Sequence, residues 1–153
     1  MGIFSFFKKK AFFSEQDQAR IVAAIATAEK STSGEIRLYV ESKNPYMDPL
    51  ERAGEIFFQL QMEHTDNRNG VLLYIAMKDR ELALFGDGGI HKKVGSDYWK
   101  NAVQNMIGQF ADQHIASGIV QCVLQVGQTL KETFPYDSST DKNELSDDIV
   151  FGK

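Results

Sequence analysis

Two short runs constrain what this chain can fold into. From Glu35 to Val40 it reads Glu-Ile-Arg-Leu-Tyr-Val, polar and apolar in alternation, the period of a strand with one wetter face. From Val71 to Ala76 it reads Val-Leu-Leu-Tyr-Ile-Ala without a polar break, as in a strand covered on both faces. A helix separates them. Asp48 and Pro49 supply a cap and a first-turn proline, and Ala53, Ile56, Phe57 and Leu60 share one side as far as about Met62. Two strands joined through a helix lie parallel, with a right-handed crossover.

Lys78-Asp79-Arg80 is a tight turn, and Glu81 to Phe85 returns antiparallel. Ser14 and Asp17 approximate a capping box ahead of a helix with Ile21, Val22, Ile25 and Ala28 on one face, ending at Ser31 to Gly34. Gly86-Asp87-Gly88-Gly89 reads as irregular, and Ile90 to Val94 as a short fourth strand. Ser96-Asp97 caps another helix, with Tyr98, Trp99, Val103, Met106, Ile107 and Phe110 as its core face. A break at Ala116 to Gly118 leads to a last helix ending near Phe134-Pro135. The expected fold class is α/β, a three-layer α/β/α sandwich around a small mixed sheet of three to four strands. Its span is 14–135, flanked by an aromatic and basic arm at 1–13 and an acidic, flexible tail at 136–153. The tail's one apolar patch is Ile149-Val150-Phe151.

With 153 residues, the chain fits one domain able to bury a core without staples. A net charge of -4 exerts no global pull on nucleic acid or anionic lipid. The single cysteine, Cys122, forms no intramolecular disulfide and sits in an apolar stretch, so burial is expected. In the arm, Lys8, Lys9 and Lys10 follow the apolar run, whereas a secretory signal places its charges first. Phe6 stands where a myristoylation motif wants Ser or Thr, and no apolar run has the length of a membrane-spanning helix. A cytoplasmic monomer is expected. Phe4, Phe6 and Phe7 with the three lysines offer a membrane-surface contact or pack on the chain's own domain.

The topology gathers polar residues. If the first two strands are parallel and the third returns, their start, start and end share one rim. That rim carries Glu35, the loop Asp66-Asn67-Arg68-Asn69, and Asp87 among its glycines, with Ser96 and Asp97 close behind. Carboxylates brought together repel, and a hard cation such as calcium or magnesium relieves them through oxygen ligands. Each residue also has a structural role open to it: Asp87 as a turn cap, Asp97 at a helix start, Glu35 as a salt-bridge partner of Arg68. Elsewhere His64, His91 and His114 lack zinc spacing, no nucleophile elbow is present, and the glycine run lacks the lysine of a phosphate loop.

The segments Ser33-Gly-Glu-Ile-Arg-Leu-Tyr-Val40, Asn69-Gly-Val-Leu-Leu-Tyr-Ile75 and Glu81-Leu-Ala-Leu-Phe-Gly-Asp-Gly-Gly-Ile90, with the later Gly118-Ile119 helix entry, resemble the TPM domain. That family is often labelled TPM-phosphatase and includes thylakoid-lumen proteins of photosystem repair. The resemblance spans about Ser14 to Pro135, and the start and tail look like a short stand-alone bacterial subgroup. It implies an α/β/α sandwich, divalent-metal binding, usually calcium, and an acid phosphatase activity. Glu35, Asn69, Asp87 and Asp97 fall in its motif segments. The candidate metal ligands are therefore Glu35, Asp66, Asn69, Asp87 and Asp97. The expected function is a non-catalytic calcium- or magnesium-binding module that stabilises or docks onto a protein partner. The alternative is a metal-dependent phosphatase of phosphomonoesters, with Asp87 as its conceivable nucleophile and Arg37 and Arg68 as phosphate partners. A third reading is a peripheral membrane adaptor using the arm.

Overall fold

The structure, a computed structural model, describes residues 12–111, 114–137 and 147–152. In chain order the elements are α1 (Glu15–Glu29), β1 (Glu35–Glu41), α2 (Pro49–Gln59), β2 (Gly70–Ala76), β3 (Glu81–Gly86), α3 (Gly88–Val94), α4 (Ser96–Ala111), α5 (Ile115–Thr133) and β4 (Val150–Phe151). The helix starts follow the capping residues. Ser14 Oγ accepts from Asp17 N–H at 3.0 Å, and Asp48 Oδ2 from Leu50 N–H at 3.0 Å. Pro49 costs α2 nothing, because the first helical N–H lacks an intrahelical partner in any case.

The sheet order is β3-β2-β1-β4. β1 and β2 are parallel, with Glu35 opposite Gly70 and Glu41 opposite Ala76. β2 and β3 are antiparallel, from Val71 opposite Gly86 to Ala76 opposite Glu81. Period-two alternation divides the sheet into two faces. Ile36, Leu38, Val40, Val71, Leu73 and Ile75 pack in one core cluster with residues of α1, α4 and α5, including Ile25, Met106, Ile119 and Val126. Leu72, Tyr74 and Ala76 pack in the second with Ala53, Ile56 and Phe57 of α2. The three-layer α/β/α sandwich around a mixed sheet is thus the fold. Trp99 and Cys122 belong to the first cluster, and burial pushes the Cys122 thiol up to about 12, leaving it a poor nucleophile.

Three expectations need correction. Ile90 to Val94 is not a strand but most of α3, and the glycines ahead of it are not irregular. Gly86 closes β3, and Asp87 caps α3 by accepting from Gly88 N–H at 2.7 Å. The fourth strand is instead the tail's apolar patch. Val150 and Phe151 pair parallel with Tyr39 and Val40, Gly152 N–H donates to the Val40 carbonyl at 2.7 Å, and Phe151 stacks on Phe12 with ring centroids 6.4 Å apart. The tail expected to be flexible is therefore anchored at 147–152, because β1 would otherwise present apolar side chains and unpaired backbone at the sheet edge. The helix break comes earlier than Gly118, which lies inside α5, where a Cβ would stand 2.8 Å from Gln109 Cβ. The membrane-contact residues Phe4, Phe6, Phe7, Lys8, Lys9 and Lys10 lie outside the described residues. Among those described, no helix is long and apolar enough to cross a membrane.

Candidate functional site

The parallel pairing brings the predicted rim into being. Glu35 N–H donates to the Asn69 carbonyl at 3.4 Å, and Asp87 N–H to the Gly70 carbonyl at 2.9 Å. Glu35, Asn69 and Asp87 therefore lie together at one edge of the sheet, only 2%, 1% and 3% exposed. Asp66, in the loop before β2, and Asp97, in the first turn of α4, are exposed and not buried with them.

Among the described residues, the side chains of the rim have separate partners. Asp87 is gripped by Arg68, whose Nε donates to Oδ2 at 2.6 Å and Nη2 to Oδ1 at 2.8 Å. Arg68 thus pairs with Asp87 and not with Glu35. Its loop is pinned by Gly89 N–H, which donates to the Arg68 carbonyl at 2.8 Å. Asn69 donates from Nδ2 to Ser33 Oγ at 3.3 Å, while its buried Oδ1 has no hydrogen-bond partner among the described residues.

Glu35 instead meets two acids that sequence reasoning passed over. Glu29, in the last turn of α1, accepts from Ile36 N–H at 2.8 Å through Oε2, while its buried Oε1 has no hydrogen-bond partner among the described residues and is faced by the carboxyls of Asp147 and Glu35. Burial first, then Asp147 and Glu35, push Glu29 up to about 11, against the opposing pull of the Ile36 N–H. Arg37 lies close by. Burial lowers its guanidinium from the ordinary range, and the charges of Asp148 and Glu29 oppose that shift. One signal for Glu29 was available: an acid in the last turn of a helix opposes the helix dipole, so its retention calls for another partner. Asp147 carried no signal, since its place depends on β4. Among the described residues, no group of three or more His, Cys, Asp or Glu side chains is arranged so as to hold a metal ion.

A second polar centre lies at the other end of β1. Glu41, 4% exposed, accepts from Arg52 Nε and Nη2 at 2.9 Å each and from the Tyr74 hydroxyl. Burial raises the Tyr74 phenol, and the bond to Glu41 adds to it. Beyond it an open depression of about 740 Å³ lies over the loop from Lys43 to Asp48, with Asp79 and Glu81 opposite.

The open mixed sheet with helices on both faces, and a polar rim where strand starts and a returning strand end meet, defines a small α/β sandwich domain. The TPM domain model matches residues 7–129, and the chain belongs to that family. Among solved structures it is similar to BA42 from the psychrophilic bacterium Bizionia argentinensis, at 35% identity over 92% of this chain and 96% of that one, with a TM-score of 0.84. The N-terminal domain of cg2496 from Corynebacterium glutamicum shares the fold at 16% identity and a TM-score of 0.62, covering 87% of this chain and 82% of that one. An N-terminal domain from P. gingivalis does so at 14% identity and 0.66, covering 87% and 83%. No curated protein matches the chain.

Proposed function

We propose that this TPM domain is a non-catalytic module that binds a divalent cation, calcium or magnesium, at the outer edge of β1, and that the loaded form docks on a protein partner. The reading is carried by one observation: carboxyls from three separate segments, Glu29, Glu35 and Asp147, meet in a largely buried place. Like-charged groups so placed raise one another's pKa, and a hard divalent ion accepts oxygen ligands of this kind. In this reading the ion takes the place of the Glu29 proton, and the carboxyls regroup around it. Of the acids singled out in the sequence, the reading keeps Glu35, with the buried Asn69 Oδ1 as a neutral oxygen on the same rim. Asp87 is occupied by Arg68, which also removes it as a free nucleophile, so no observation favours phosphoryl transfer.

The test is a calcium titration of the full chain followed by amide NMR. Shifts are expected at Ile36 and through 147–152, and Glu35→Gln and Glu29→Gln should each abolish them. A titration that leaves these amides unmoved, or variants that bind as the parent does, would sink the reading. Calcium-dependent turnover of a phosphomonoester, lost in the same variants, would favour the phosphatase instead.

A further inference from the structure

A cavity of about 550 Å³ opens on the helix-rich side of the sheet, at the end far from the rim, where α4 gives way to α5. Ile75 and Leu82 form its floor, paired across β2 and β3, and Ile107, Phe110 and Ile115 form its walls. Its volume falls within the range of small-molecule sites, which are mostly apolar with a few placed polar groups. Of the described residues that line it, Arg80 alone carries a charge. Arg80 is exposed at the turn between β2 and β3, with a left-handed φ of 54°. Ile107, at 53% exposed, leaves apolar surface beside the cavity.

We infer that this cavity binds a single-chain carboxylate amphiphile, its acyl tail between Ile75 and Leu82 of the sheet and Ile107, Phe110 and Ile115 of the helices, and its carboxylate on Arg80. A largely apolar space with one cationic group at it selects for an apolar tail with one anionic head. A guanidinium presents a fork of donors that matches a carboxylate, which an alcohol or an ammonium head cannot use equally well. The site is separate from the Glu29 region, so it stands or falls independently of the cation reading.

The experiment is an NMR titration of the full chain with dodecanoate, kept below its micelle concentration, alongside dodecylammonium with the same tail and the opposite head. Shifts should map to Ile75, Leu82 and Ile115. The ammonium should bind at least about tenfold more weakly, since a hydrogen bond to a charged group contributes more than one decade of affinity. Arg80→Asn keeps a residue that tolerates the left-handed turn and should remove that preference. Ile107→Glu, at an exposed position that leaves the fold intact, should weaken dodecanoate by a similar factor. Equal binding of the two heads would overturn the inference. So would shifts confined to the surface of exposed Phe58 and half-buried Phe85, or contacts from residues 1–11 into the cavity, which would assign it to the chain itself.

Discussion

Replacing Glu29 by glutamine should make the protein more stable, by an amount that grows with pH. The Glu29 carboxyl stands at about 11 in the fold against an ordinary 4.5, mainly because it is buried and then because Asp147 and Glu35 face it. Above its ordinary value the unfolded chain has lost this proton while the native state keeps it. Unfolding then releases a proton, and stability falls by about 1.4 kcal/mol per pH unit. Between about pH 5 and about pH 8 this group alone can remove up to roughly 4 kcal/mol. The glutamine amide would still accept from Ile36 N–H through its carbonyl oxygen, and its NH₂ group would donate to Asp147 or Glu35 without ionising. Urea unfolding followed by the fluorescence of Trp99, the only tryptophan, reads the difference directly. The variant and parent should differ little near pH 5, and the variant should be more stable by about 1–4 kcal/mol near pH 8. A constant difference across that range, or a variant weaker throughout, would refute the assignment of a retained proton here.

Two further outcomes follow from the geometry. Arg52→Met leaves the Glu41 carboxylate buried with only the Tyr74 hydroxyl, and should cost about 3–5 kcal/mol in urea unfolding. Adding Glu41→Gln should recover much of this, and a loss below about 1 kcal/mol would show the pair to be incidental. Gly89→Ala would place a Cβ 2.1 Å from the Asn67 carbonyl and 2.6 Å from the Arg68 carbonyl, backbone that cannot swing aside. The loop must retreat, so a loss of at least about 1–3 kcal/mol is expected, with altered amide shifts at Arg68 and Asp87.

The layers and the sheet order of the first three strands were legible, because burial on two faces and a helical connection leave a parallel pair as the simplest arrangement. Glu35 beside Gly70 follows from that pairing, and Asp87 beside the same residue from the β2–β3 hairpin. What was illegible is who satisfies whom. Asp87 had two candidate roles, turn cap and ligand, and it is the cap while also holding Arg68. The choice of Asp87 over Glu35 as the partner of Arg68 depends on a non-glycine residue at φ 51°, which no periodicity announces. Ile90 to Val94 reads as strand by its apolar ends, yet Asp87 caps a helix there in spite of the two glycines of its first turn.

The missing acids were hidden for a topological reason that bears on function. Glu29 ends α1, Glu35 begins β1, and Asp147 precedes a two-residue strand that exists only by pairing with Tyr39 and Val40. The carboxyl set is therefore complete only when the tail is docked. Whatever binds the set, proton or cation, must favour the docked tail, and a docked tail must favour binding by the same factor. The polar centre at Glu41 lacks this property, since Arg52 and Tyr74 come from elements inside the sandwich itself. A partner that competed for the β1 edge would have to displace β4 and with it Asp147. The tail's occupancy, the charge on Glu29 and any cation on this edge are thus three readings of one equilibrium.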